Sequence, residues 1–321
     1  MEHTIEVNKT FKKDGVNALN QTPKQLPSMY FYNAEGDRLF QKIMALDEYY
    51  LTRAEMEIVK SHRAEILKSF LGGDANFRLV ELGAGDGTKT KVLLEHFVNE
   101  GTDFVYSPID ISQSVLNQLE EGVLKAVPNL KIDCIQGDYF KALSELNSNH
   151  LQKEVLLFLG STIGNFGLEA GKNFLKELSN NLSSGDMLFI GFDLMKDPRV
   201  VLAAYDDREG VTRDFNLNLL KRINDELDAD FDVDKFQHYP TYNPITGETK
   251  SYLVSREAQQ VHFKAIDYTL ELKQWEAIHT EVSQKYSFQM IEEFAQYAGF
   301  KIVRHFTDSK ELFVDSLWEK V

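Results

Sequence analysis

Only one of the 321 residues is cysteine, Cys134. An internal disulfide is therefore excluded, and a buried thiol in a reducing compartment is the expectation. Basic residues are also short: 35 Lys and Arg stand against 50 Asp and Glu, a net charge of −15. Such a surface repels a phosphate backbone, so nucleic acid is not expected as a partner. No apolar run approaches the length of a membrane span. Met1 to Gly15 is polar and of mixed charge, without the apolar centre of a secretory signal. These absences lead us to expect a soluble, cytoplasmic protein. The eight histidines show no H-E-x-x-H spacing. Asp228, Asp230, Asp232 and Asp234 alternate like a calcium loop, but Val233 and Tyr239 stand where its glycine and glutamate belong. No metal is expected.

What is present begins with Leu79-Val80-Glu81-Leu82-Gly83-Ala84-Gly85-Asp86-Gly87. An apolar strand runs into three glycines and then into a helix-like segment, Thr88 to Phe97. Glycines let the backbone pass tightly beneath a ligand where a Cβ would collide. Strand–glycine–helix units at the carboxyl edge of a parallel sheet bind nucleotide-like cofactors. A dinucleotide fingerprint requires its third glycine at Thr88, which excludes that form. The G-x-G-x-G form preceded by Glu81 resembles the first motif of class I S-adenosylmethionine methyltransferases.

Further apolar runs follow at Phe104 to Ile109, Lys131 to Ile135, Glu154 to Leu159 and Met187 to Phe192. The first ends in Asp110, placed to accept from two ribose hydroxyls. The next ends in Asp138 and Tyr139, a carboxylate for an adenine amino group and a flat face for the base. Each aspartate alone reads equally as a turn residue or helix cap. Lys301 to Phe306 and Leu312 to Trp318 form an expected terminal strand pair after the helix Phe288 to Ala298, which Gly299 closes. Five strand–helix units and this pair resemble the seven-stranded, doubly wound α/β sheet of class I methyltransferases.

The remaining sequence suggests a second, substrate-binding lobe. The first ~24 residues look loosely structured by composition. Pro27 to Tyr50 is dense in aromatics, with a turn signal at Ala34-Glu35-Gly36-Asp37 opening a helix from Arg38. Thr52 and Glu55 have the spacing of a capping box for the next helix. After the fifth strand come charged helices and a hairpin signal, Asn243-Pro244-Ile245-Thr246-Gly247. The expected division is residues 1–54 and 195–284 for the lobe, and 55–194 and 285–321 for the cofactor-binding sheet. Such a lobe is expected to cover the strand-end face.

Leu159 to Asn165 supplies small residues and one amide, Asn165, able to donate and accept. This suits a free amino acid, though a simple strand-to-helix turn reads the same way. Glu281 and Ser283, two apart on an extended segment, point to one face. A carboxylate beside a hydroxyl can bracket an imidazole; the wet face of a strand is the alternative.

Tyr30-Phe31-Tyr32-Asn33-Ala34-Glu35-Gly36, Leu46-Asp47-Glu48-Tyr49-Tyr50-Leu51-Thr52-Arg53, Phe158 to Asn165, Tyr205-Asp206-Asp207 and Thr280-Glu281-Val282-Ser283 occur in one order. From Pro23 onward the chain thereby resembles the histidine-specific Nα-methyltransferases of ergothioneine biosynthesis. The resemblance implies trimethylation of the histidine α-amine to hercynine with S-adenosylmethionine. It implies that Gly83, Lys89, Asp110, Asp138 and Tyr139 hold the cofactor. Tyr49, Asn165 and Tyr205 then hold the amino acid's ammonium and carboxylate, Glu281 and Ser283 read the imidazole, and Tyr32 with Asn165 steers the amine. Two features depart from the family: the third glycine of the loop, and Ser251 in place of a larger apolar residue. Another amino acid, a ring nitrogen of histidine, or ligand binding without turnover are the alternatives. A monomer is expected.

Overall fold

The computed structural model describes residues 11, 13–85, 87–148 and 152–321. These divide into two compact units, one from Met1–Tyr50 and Lys196–Ser283, the other from Leu51–Met195 and Gln284–Val321. Asp86 lies outside the described residues, as does most of the expected polar start.

Along the chain, the first unit contributes β1 (Lys24–Gln25) and α1 (Ala34–Ala45). The second unit follows with α2 (Leu51–Leu71), β2 (Asn76–Leu82), α3 (Thr88–Asn99), β3 (Asp103–Asp110) and α4 (Gln113–Ala126). It continues through β4 (Ile135–Gln136), α5 (Tyr139–Ser148), β5 (Glu154–Phe158), α6 (Leu168–Asn180) and β6 (Met187–Asp193). The first unit resumes with α7 (Pro198–Ala203), α8 (Val211–Leu227), β7 (Phe236–Tyr242) and β8 (Glu248–Ser255). Then come β9 (Gln259–Phe263), β10 (Tyr268–Leu272) and β11 (Ala277–Gln284). The second unit closes with α9 (Phe288–Ala298), β12 (Phe300–Thr307) and β13 (Phe313–Lys320).

The second unit is a seven-stranded sheet in the order β12-β13-β6-β5-β2-β3-β4. Its five central and distal strands run parallel, and β13 lies antiparallel to both β6 and β12. Every residue of β5 and β6 is buried, the signature of parallel strands covered on both faces. Trp318 is fully buried, stacks on Phe192 with ring centroids 5.7 Å apart, and donates its indole N–H to Ser316 Oγ. Helix α9 begins where Ser287 Oγ accepts the Met290 N–H and ends at left-handed Gly299. The Lys131 to Ile135 run pairs less than its apolar character suggests. It touches β3 at Ile132 and again over two residues, because β4 is a sheet edge with a partner on one side only. Cys134 there is half-buried rather than buried, and burial still pushes its thiol up to about 11.

In the first unit, β1-β11-β8-β7 form a four-stranded sheet and β9–β10 a separate hairpin. Strand β8 alternates buried and half-buried residues, so one face meets the core. That core joins Phe31, Phe215, Leu219, Leu253 and Ile278, with the Phe31 and Phe215 rings 4.6 Å apart. The described part of the first ~24 residues is more ordered than its composition implies. Residues 13–19 are helical, and Phe11 and Leu19 are fully buried in this core.

Two local signals resolve differently from expectation. Ala34-Glu35-Gly36-Asp37 is the first turn of α1, because Asn33 Oδ1 accepts the Gly36 N–H and caps it. Helix α2 begins at Leu51, so residues 51–54 belong to the second unit; Glu55 is buried and pairs elsewhere instead of closing a capping box.

Within the second unit, Lys285 and Asp193 form an ion pair at 2.9 Å with both side chains fully buried. Removing one partner strands the other charge away from water. Lys285→Met is expected to cost about 3–5 kcal/mol of stability in urea unfolding. An unchanged midpoint and slope would show that the pair carries none of that burden.

Candidate functional site

Strand order in the second unit reverses beside β2: β3 and β4 lie to one side of it, β5 and β6 to the other. A crevice opens outside the carboxyl ends of the strands at such a switch point. The bend leaving β2 lies there. Gly83, Gly85 and Gly87 all take left-handed backbone, and Gly87 starts α3. A Cβ on Gly83 would stand 3.0 Å from Tyr139 Oη, so the bend and that phenol close on one another.

The neighbouring strand ends carry the expected carboxylates. Asp110 is the last residue of β3, and Asp138 follows β4, which pairs β3 through Asp110 and Gln136. One Asp110 oxygen accepts the Ser112 N–H at 2.8 Å. Asp138 Oδ1 accepts from Phe140 N–H and Lys141 N–H, so this carboxylate does cap α5. Tyr139 is half-buried, and burial followed by the fields of Asp110 and Asp138 raises its hydroxyl pKa. It is a neutral phenol whose ring packs in part against the core.

Glu81 and Lys89 lie on the two sides of the bend. Glu81 is 3 % exposed and accepts hydrogen bonds from Thr90 Oγ1 (2.6 Å) and Tyr106 Oη (2.5 Å). Burial pushes its carboxyl up against those bonds. Its oxygens anchor the start of α3 to β3. Lys89 pairs with Glu55, and although burial would lower its ammonium, the fields of Glu55, Asp315 and Glu81 together with the Glu55 hydrogen bond raise it. Glu55 also accepts the Gly160 N–H at 2.7 Å. Gly160 and Ser161 are both left-handed, and Ser161 Oγ accepts the Asp193 N–H, which holds a non-glycine residue in that conformation. Asn165 is exposed, on the short 3-10 turn Thr162–Phe166 that follows.

The other candidates belong to the first unit. Tyr205 is 7 % exposed and its Oη lies 2.8 Å from Ser283 Oγ, donating to it. Glu281, half-buried, precedes Ser283 by two residues on β11. Burial raises the Tyr32 hydroxyl, and Glu281, Asp37 and Tyr205 add to the shift in that order. Tyr32, Tyr205, Glu281 and Ser283 thus share one polar neighbourhood. Tyr49 packs its ring beside Phe40, centroids 6.4 Å apart. Asp207 caps α8 by accepting Val211 and Thr212 N–H groups. Asp230 and Asp232 likewise accept backbone N–H groups, from His262 and Asp234, which accounts for two members of the alternating aspartate run.

His238, on β7, is 9 % exposed and its Nε2 finds no hydrogen-bond partner among the described residues. Burial lowers its pKa to about 4, with Asp207 opposing and Arg213 reinforcing the shift.

Residues 11–320 match the family described as histidine-specific methyltransferase, SAM-dependent. The chain belongs to that family. It is 36% identical over 309 residues to a histidine N-alpha-methyltransferase of Mycobacterium tuberculosis (strain CDC 1551 / Oshkosh), covering 96% of this chain and 94% of that protein. The corresponding protein of Mycolicibacterium smegmatis is 36% identical over 92% of this chain and 91% of its own. Ergothioneine biosynthesis protein 1 of Neurospora crassa is 31% identical over 90% of this chain, which spans 32% of that longer protein.

The protein is therefore an S-adenosylmethionine-dependent methyltransferase. Its residues fit that cofactor: a glycine-rich, left-handed bend at the switch point, carboxylates at two adjoining strand ends, and a phenol at Gly83. Sequence reasoning did not single out Glu55 as the partner of Lys89 and Gly160, although it falls in the buried phase of α2 with Leu51, Ala54 and Ile58.

Gly83→Ala must shift either the bend or Tyr139, and L-residues resist left-handed backbone by about 1–2 kcal/mol. Cofactor affinity is expected to fall by about tenfold in calorimetry, and an unaltered affinity would remove the bend from the site. His238 gives a pH prediction. Its folded pKa lies below the unfolded value, so its contribution is present above pH 6.5 and lost as pH falls toward about 4. His238→Gln should flatten stability over that window by about 3 kcal/mol in chemical denaturation.

Proposed function

We propose that the protein methylates the α-amine of L-histidine, and that successive transfers yield the trimethylated product hercynine, within ergothioneine biosynthesis. The observation that carries this reading is the Tyr205–Ser283 hydrogen bond beside Glu281, a hydroxyl and a carboxylate on one strand. In this reading Ser283 and Glu281 engage the two imidazole nitrogens. Tyr49, Asn165 and Tyr205 hold the ammonium and carboxylate of the amino acid. Gly83, Lys89, Asp110, Asp138 and Tyr139 would hold the cofactor.

When bound, S-adenosylmethionine supplies an electrophilic methyl group on a sulfonium that leaves as a neutral thioether. The protein's part is alignment and control of the amine proton. An α-amine titrates at about 7.7–8.0 in peptides, so a proton leaves before each transfer. Tyr32 stays a neutral phenol because its pKa is raised, and it orients the lone pair together with Asn165. Neither residue is a strong base, and the proton passes to solvent. The faces of Tyr32, Tyr49 and Tyr205 favour an amine that gains fixed positive charge.

A different amino acid as acceptor is the second reading. Ser251 favours it: 1 % exposed, with an Oγ that finds no hydrogen-bond partner among the described residues, it adds polarity where the family places an apolar side chain. Incubation with labelled cofactor and a panel of amino acids, followed by mass spectrometry, tests both. Histidine carrying up to three methyl groups, unreactive toward amine reagents, is the expected product. Ring methylation, or turnover confined to another amino acid, overturns the histidine α-amine. Glu281→Ala is expected to weaken histidine binding about tenfold to a hundredfold while cofactor affinity holds. Equal loss of both ligands would remove Glu281 from the imidazole.

A further inference from the structure

We propose that Asp315 is a positioning residue: as a neutral acid sharing its proton with Glu55, it fixes the carboxylate that holds Gly160 and Lys89. The inference rests on the assignment of Lys89 to the cofactor.

Three elements of the second unit converge on this point. Glu55 comes from the first turn of α2, Asp315 from the middle of β13, and Gly191 stands opposite Asp315 on β6. A Cβ on Gly191 would lie 2.7 Å from Glu55 Oε1 and 3.1 Å from Asp315 Oδ1. The two carboxyl groups therefore meet over a glycine that leaves them room. Glu55 has partners for both oxygens: Gly160 N–H for Oε1 and the Lys89 ammonium for Oε2. Asp315 has 0 % exposure, and neither of its oxygens finds a donor among the described residues.

Two acceptors face one another stably only when one carries a proton. Buried carboxylates this close do not both ionise. Glu55 has the cation, so the proton belongs to Asp315. Burial and then Glu55 push the Asp315 carboxyl well above its usual range, with Lys89 opposing. Asp315 can then donate to Glu55, which gives its own orphaned atoms a role.

The arrangement matters for Lys89. An ammonium has three donors, and one is committed to Glu55. A second negative charge on Asp315 would draw Lys89 further into the protein and weaken its field toward an anionic ligand group. Keeping Asp315 neutral holds the Gly160 loop and leaves Lys89 countered by Glu55.

The test uses the full chain, with S-adenosylmethionine affinity measured by calorimetry and the histidine KM measured separately. Asn supplies a neutral donor of the same shape, so Asp315→Asn is expected to stay within about twofold of the parent. Asp315→Ala is expected to lose about tenfold in cofactor affinity with little change in histidine KM. In infrared spectra at neutral pH, Asp315→Asn should delete the C=O stretch of a buried protonated carboxylic acid. This readout stands even where Asp315→Ala fails to fold. Absence of that band in the parent, or an Asn variant as impaired as Ala, overturns the proposal. Lys89→Met separates the two readings. If it leaves cofactor affinity intact, the Lys89 assignment falls and the proposal with it. If Lys89→Met weakens binding while folded Asp315→Ala does not, the positioning role alone falls.

Discussion

A carboxylate removed from water must be answered by donors, and Glu55 is answered by two at once. Its oxygens take the Gly160 N–H after β5 and the Lys89 ammonium on α3, from a helix that precedes the whole sheet. The bend after β2 and the loop after β5 flank the reversal of strand order. An unpaired charge here would cost several kcal/mol, so these pieces cannot drift apart independently. The geometry of the strand-end edge follows from that requirement as much as from the glycines.

Chemistry in the first unit is arranged by a different constraint. Period-two alternation on β11 gives Glu281 and Ser283 a common side, and Tyr205 reaches Ser283 from the segment between α7 and α8. Asp207, two residues after Tyr205, locks the start of α8 through two backbone N–H groups. The phenol that donates to Ser283 thus sits in a short connection whose far end is fixed to α8 by that cap.

Much of this was legible in the residues. Period and punctuation marked β2, β3, β5, β6 and α9, and the Asn243 to Gly247 signal does join β7 to β8 as an antiparallel pair. Gly83, Asp110 and Asp138 do lie at the carboxyl ends of adjoining strands, as the spacing of the runs suggested. Local signals failed where long-range pairing outweighed them. Thr52 and Glu55 had the spacing of a capping box, yet burial beside Lys89 and Gly160 claimed the glutamate. The run around Cys134 looked like a core strand, but at a sheet edge only half of its ladder was available. Asp315 looks misplaced in an apolar strand until Gly191 and Glu55 are seen beside it, and no sequence window contains all three.

The second unit's sheet is written in two instalments, with β7 through β11 intervening between β6 and its antiparallel neighbour β13. On a ribosome, the wholly buried β6 emerges long before the strand that will cover its open side. Through that interval the nascent sheet exposes an unpaired rim, the kind of surface that recruits other chains. Folding of the intervening unit therefore falls within the interval in which that rim is still unpaired.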